Sequence, residues 1–180
     1  MEPPKSLEFK ISTGLKNVLG QDLIIDRDIA IYELVKNSYD AGASKVIIKF
    51  KDINSDNAMI IIQDDGCGMS LEDIQNKWLF VAYSEKKHFR NNSFRDQIPR
   101  RIPAGAKGVG RFSCDRLGTT LTLTTKAKNA SEWNQLFVDW SDFDIDDTRN
   151  FDSISVPFKK IKANIEEIAK NGTILTIRNL

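Results

Sequence analysis

The sequence is poor in the residues that most metal and nucleophile chemistry uses. Its 180 residues include one histidine and two cysteines. A zinc centre built from His and Cys is therefore excluded, because such sites gather three or four of these ligands. A Ser-His-Asp triad would have to use His88, which stands in a charged, loop-like stretch. Cys67 and Cys114 do not make a disulfide framework, which points to a reducing compartment and a cytoplasmic chain. No run approaches the roughly 20 apolar residues of a membrane span, and no signal-peptide core follows "MEPPKSLEFK". The formal net charge of +1 lacks either sign in excess. A nucleic-acid partner would need basic groups concentrated locally, and no patch interleaves them with aromatics.

What is present describes a globular chain. With 41% hydrophobic and 28% charged residues it has the composition of a soluble domain, and its length suits a single core. "RDIAIYELVKNSYDAG" has helical spacing, with Ile29, Tyr32, Leu34 and Val35 towards one side, Asp26 or Asp28 to cap it and Gly42 to end it. "KVIIKFKDI" and "NAMIIIQDD" are strands joined by the turn "NSDN" into a hairpin. "SLEDIQNKW" opens with a capping signal and predicts a short helix. Residues 84 to 107 lose all pattern and read as a long loop. "GVGRFSCDRLG" is a second helix bracketed by glycines. "TTLTLTTKA", "WNQLFVDW" and "GTILTIRNL" are strands, the last two separated by an acidic loop and the helix "KKIKANIEEIAK". The irregular alternation with hairpins predicts an α+β sandwich rather than a doubly wound parallel sheet.

Several familiar motifs fail on inspection. "DINSDN" starts like a calcium loop, but Asn57 stands at the glycine turn and Gln63 at the twelfth position. "GAKGVGRFS" fails as a P-loop, because Arg111 and Phe112 replace the required Lys and Ser/Thr. It also lacks the third glycine of a dinucleotide fingerprint. The aspartates of "DWSDFDIDDTRNFD" have no calcium-loop spacing and read as a solvated loop.

Three features remain. Glu33, Asn37 and Asp40 stack on one side of the first helix, at spacings of four and three. "DDGCGM", residues 64 to 69, follows a strand, with Gly66 and Gly68 permitting a sharp turn and close approach to the backbone. "GAKGVGRFS" opens a helix whose unpaired N–H groups favour anions. Each alone is equally an ordinary structural feature: a solvated edge, a strand-to-helix turn, a glycine turn.

In this order, followed by the late Gly-Thr strand, the three resemble the GHKL ATPases. These include DNA gyrase B subunits, ninety-kilodalton heat-shock chaperones, sensor histidine kinases and MutL mismatch-repair proteins. The resemblance spans about residues 28 to 177. "ELVKNSYDAGA" is most similar to the MutL helix, and "GAKGVGRFS" to the chaperone glycine box and to bacterial GHKL proteins of unassigned role. It implies a Bergerat fold, a mostly antiparallel sheet with helices over one face, and Mg²⁺-dependent ATP binding with slow hydrolysis. Asn37 would give an oxygen to Mg²⁺, and Glu33 would be the general base for the attacking water; its alternative is a surface pair with Lys36. Asp64 would accept from the adenine amino group, with Asp65 as the fallback and Thr173 behind it. Asp40 would support the adenine side or the helix end, and Met69 would pack under the base. Lys107 and the amides of Gly108, Val109 and Gly110 would hold phosphate. Residues 84 to 107 would be a lid, whose Lys86, Lys87, Arg90, Arg95, Arg100 and Arg101 could screen phosphate charge.

The resemblance further implies an ATP-dependent homodimer acting on a client. The ending after "GTILTIRNL" gives the expectation of an N-terminal fragment of a longer protein, with the basic residue for the γ-phosphate in its missing part. A histidine-kinase-like catalytic domain is an alternative; the stretch before residue 28 is short for its dimerisation helix. A nucleotide-sensing module without turnover is another.

Overall fold

β-Branched and aliphatic runs set the centre of the molecule. The structure, a computed structural model, describes residues 10–81, 110–162 and 170–180. Its strands are Val46–Lys51 (β1), Met59–Asp64 (β2), Thr120–Lys126 (β3), Trp133–Asp139 (β4), Phe158–Ile161 (β5) and Gly172–Arg178 (β6). They form one six-stranded sheet in the order β1-β2-β6-β3-β4-β5, and every pairing is antiparallel. The α+β expectation and the hairpin of β1 with β2 are both met.

Because strand side chains alternate between faces, the register sorts the sheet into rows. On the helix-covered face Ile60, Ile177, Leu121 and Val138 stand opposite one another, and beside them Ile62, Leu175, Leu123 and Leu136. Leu121, Leu123 and Ile177 are wholly buried, and each such side chain contributes about 1.5–3 kcal/mol. The next row along the same face is polar: Asp64, Thr173, Thr125 and Asn134.

Helix α1 (Leu15–Asn17) passes into a π-helical turn at Val18–Asp22, and α2 runs over Arg27–Asp40. Asp26 caps α2 by accepting from the Asp28 N–H at 2.9 Å. The face of α2 on the sheet is Ala30, Leu34 and Ser38, not the side expected from Ile29 and Tyr32, which are 50% and 63% exposed. Ala30 and Ser38 are buried while the larger apolar Ile29 and Tyr32 are not, so position on the helix overrode apolar count. Helix α3 (Leu71–Asp73), continued by a π turn at Ile74–Trp78, carries the expected capping box between Ser70 and Asp73. A 3₁₀ turn at Gly110–Phe112 leads into α4 (Ser113–Leu117).

Two expectations are corrected. Lys159–Ile161, expected to begin a helix, pair with Trp133–Gln135 as part of β5; residues 163–169 lie outside the described residues. Neighbouring lysines on a short edge strand look like a solvated helix face in sequence, and only the pairing distinguishes them. The acidic stretch is not simply a solvated loop, because Trp140 and Phe143 within it are buried. They pack with Phe112 and Phe151, at ring separations of 5.1–6.3 Å. Lys16 adds a buried ionic tie, its Nζ 3.3 Å from Asp115 and 2.8 Å from Asp144.

Candidate functional site

The polar row marks where the hydrophobic core stops. Asp64, the last residue of β2, is 8% exposed. Its carboxylate accepts from Ser38 Oγ and from the Gly66 N–H, each at 2.9 Å. Burial pushes its pKa up, and those two hydrogen bonds hold it down only in part. A buried carboxylate of this kind is a ready acceptor for a donor brought against it.

Asp65 is built for a different purpose. It accepts from the N–H groups of Ser44 and Lys45 at 2.7 and 2.8 Å, and from the Ser44 hydroxyl. These bonds lower its pKa and pin the entry to β1. Its acceptors are spent on the fold, which leaves Asp64 as the carboxylate of the row.

The turn after Asp64 is wedged between three elements. Cys67 N–H donates to Ala41 O at the end of α2, Lys128 N–H donates to Cys67 O, and Asn171 Nδ2 donates to Gly66 O. Gly68 has φ +64°, and a Cβ there would lie 1.9 Å from Lys126 O. Only glycine fits. Met69 follows, half-buried against the core, its N–H donating to Thr125 Oγ1 at 2.9 Å and its carbonyl accepting from Asn134 Nδ2 at 3.3 Å. Thr125 Oγ1 also lies 3.0 Å from Thr173 Oγ1.

Helix α2 supplies the other wall. Asn37 faces the 3₁₀ turn, where a Cβ on Gly110 would come within 3.1 Å of Asn37 Nδ2. The missing side chain thus lets the start of the 3₁₀ turn lie against Asn37. Glu33, one turn back, is partly exposed and bonded to Lys36 at 2.7 Å, the surface pair that was its alternative reading. Asp40 lies on the same side of α2, half-buried. Arg111 turns away from this wall and donates to Lys77 O and Phe80 O. Burial lowers its pKa to about 10, so it stays a cation at neutral pH.

The structure therefore brings Asp64, Gly66, Gly68, Met69 and Thr173 together, with Asn37 and Gly110 meeting beside them. Lys107, Gly108 and Val109, and the expected lid at 84–107, lie outside the described residues. Sequence reasoning missed Ser38, Thr125 and Asn134. The signal was there: each is a polar residue at an inward position, Ser38 four after Leu34 and Thr125 two after Leu123.

The comparison with protein families bears on this geometry. Residues 25–173 match the model described as "Histidine kinase-, DNA gyrase B-, and HSP90-like ATPase". The chain belongs to this family. The ATPase family's α+β fold, expected from the motifs, is the fold observed. Relatives of this ATPase-family chain include the chaperone protein HtpG of Rickettsia prowazekii (strain Madrid E), 28% identical over 69% of this chain and 23% of the relative. The DNA mismatch repair protein MutL of Salmonella arizonae is 29% identical over 73% of this chain and 20% of the relative. The mismatch repair endonuclease PMS2 of Homo sapiens is 31% identical over 49% of this chain and 10% of the relative. The chain thus spans about a quarter or less of the length of these relatives. No helix among the described residues is long and apolar enough to cross a membrane.

Proposed function

We propose that the chain is an Mg²⁺-dependent ATP-binding domain that hydrolyses ATP slowly. The observation that carries this reading is the polar row, with a buried Asp64 oriented by Ser38 and Gly66 at the edge of an otherwise apolar sheet face. An adenine amino group donating to Asp64 satisfies a carboxylate that the fold has already desolvated. Thr173 and Met69 border the same place, and Asp40 supports the adenine side or the helix end.

The donor set fits Mg²⁺ carried on phosphate. Among the described residues no group of three or more His, Cys, Asp or Glu could cage a metal. Mg²⁺ needs no such cage, since it keeps waters and takes phosphate oxygens with one or two protein ligands. Asn37 would give that one oxygen, and the bound ion would neutralise charge on the triphosphate. Lys107 and the amides of Gly108, Val109 and Gly110 would hold the phosphates at the start of the helix. Glu33 would orient and deprotonate the attacking water, a role worth about 10²–10⁴-fold. Lys36 engages its Oε1, so the water would be met by Oε2.

We further propose that this is one domain of a longer, cytoplasmic protein, coupling ATP to dimerisation or conformational change on behalf of a client. That proposal follows the short share of its relatives that the chain spans. The Glu33–Lys36 pair favours a second reading, a nucleotide-responsive module without turnover.

Calorimetric titration with a β,γ-imido analogue of ATP, with and without Mg²⁺, tests binding. Binding that weakens without Mg²⁺ is expected; none to a folded chain overturns the reading. Glu33→Gln then separates turnover from sensing. It should abolish phosphate release and spare binding in an ATPase, and change nothing measurable in a sensor.

A further inference from the structure

Hydrogen-bond accounting around Thr125 fixes the direction of a proton at the pocket. Thr125 is wholly buried. Its Oγ1 has three contacts: Met69 N at 2.9 Å, Gly172 O at 3.0 Å and Thr173 Oγ1 at 3.0 Å. A threonine hydroxyl has one proton to give and two lone pairs to accept with. The Met69 N–H can only donate, so it takes one lone pair. The Gly172 carbonyl can only accept, so it takes the one proton. The contact with Thr173 then needs a proton from Thr173 itself, or two lone pairs would face each other. Thr125 is saturated, and the Thr173 hydroxyl points its hydrogen inward.

The consequence lies on the pocket side. With its proton committed, Thr173 offers only lone pairs. Asp64 beside it accepts from Ser38 and Gly66 and, as a carboxylate, also offers only lone pairs. The floor is then acceptor-only. A purine with an amino group at C6 donates to it. A purine with a carbonyl there, such as hypoxanthine, could turn its N1–H to Asp64, but its O6 would meet the lone pairs of Thr173.

We propose that Thr125 is a specificity-determining positioning residue, which selects a 6-amino purine over a 6-oxo purine by holding the Thr173 proton away from the ligand. It touches no ligand and acts through Thr173. The proposal rests on the reading of this pocket as an ATP site.

ADP and inosine diphosphate test it without the complication of hydrolysis. Both are titrated calorimetrically, with Mg²⁺, into the chain and into Thr125→Val and Thr125→Ser. In the unaltered chain inosine diphosphate should bind at least about tenfold more weakly than ADP, the usual consequence of a buried polar group left without its partner. In Thr125→Val the Thr173 hydroxyl is free to turn its proton to O6, so that ratio should fall at least about threefold. Thr125→Ser keeps the hydroxyl and should keep the ratio. Thr125→Val weakening both ligands by one factor, with the ratio unchanged, would overturn the inference and leave Thr125 a packing residue. If Thr125→Val does not fold, Thr173→Val takes its place: removing the lone pairs must also lower the ratio, and an unchanged ratio refutes the proposal. A folded, unaltered chain that binds neither ligand refutes the ATP-site reading itself, and the inference with it.

Discussion

Asp64→Asn should separate binding from stability, and the structure gives the size of each effect. The substitution keeps the shape of the side chain. Its oxygen can still accept the Gly66 N–H, and its new NH₂ group comes to face Ser38 Oγ. Ser38 can then turn its proton to the Leu34 carbonyl, already 3.4 Å away. The fold thus loses no hydrogen bond outright. It also sheds a buried charge, the main reason that the Asp64 pKa stands above its ordinary value of 3.8. A carboxyl whose folded pKa is raised costs stability while ionised, and that cost fades as pH falls through the folded pKa towards 3.8. At pH 7 the variant should melt within about 4 °C of the unaltered chain, or above it. Binding is different. The ligand amino group loses a charged acceptor, worth about 1.5–3 kcal/mol, so ADP affinity should drop by about 10–150-fold. Acidification should also act in opposite directions on the unaltered chain. Its stability relative to Asp64→Asn should improve as pH falls through the raised pKa, while its ADP binding weakens. Thermal melts and calorimetry over a pH series measure both. Binding retained within about threefold, or a melting point lowered by more than about 8 °C, would refute the reasoning.

Two further outcomes are expected. Lys16→Met leaves Asp115 buried opposite no ammonium, a loss of about 3–5 kcal/mol in urea denaturation, and adding Asp115→Asn should recover most of it; a single variant within about 1 kcal/mol of the unaltered chain would show that the tie is dispensable. Gly68→Ala places a Cβ 1.9 Å from Lys126 O at φ +64°, and the clash and left-handed strain should cost at least about 2 kcal/mol in a thermal melt.

How far the sequence was legible depends on whether a residue's environment is local. The capping box of Ser70 and Asp73 and the cap at Asp26 are contacts within a few residues, and both were readable. Five of the six strands were readable from their apolar and β-branched runs, β5 being the exception, and so was the hairpin of β1 and β2 from its turn. The choice of Asp64 over Asp65 rested on glycine spacing alone. Its physical basis is non-local: Ser44 and Lys45 engage Asp65, and Ser38, from another element, engages Asp64. Thr125 was half legible. Alternation with Leu121 and Leu123 sets it inward, but only the pairing of β3 with β6 puts Thr173 beside it. Lys16 was hidden further still, since its partners lie across the molecule at Asp115 and Asp144. Ile29 and Tyr32 misled because apolar character suggests a buried face, yet the buried positions of α2 are Ala30, Leu34 and Ser38, set by the elements packed over it.

The three residues of the 3₁₀ turn explain how a site can be both open and rigid. Gly110 lies against the Asn37 side chain, which a Cβ there would crowd at 3.1 Å. Arg111 holds the carbonyls of Lys77 and Phe80, at the end of the π turn that continues α3. Phe112 is 2% exposed and packs on Trp140 and Phe151. The side chains of Arg111 and Phe112 therefore fasten the turn to the neighbouring helix end and to the core, and hold Gly110 beside Asn37. Displacing the turn by an ångström would disturb both attachments together, because a close-packed interior does not deform continuously. Behind it, Asp115 of α4 is locked to Lys16. A group held this firmly can be aimed at a phosphate without being reordered each time one binds, and pre-organisation of that kind lowers the cost of binding. The exposed Asn37 and the partly exposed Glu33 stand on the open side of the same wall. On the proposed ATP reading, a triphosphate would meet this wall from its open side, beside the surface ion pair of Glu33 with Lys36.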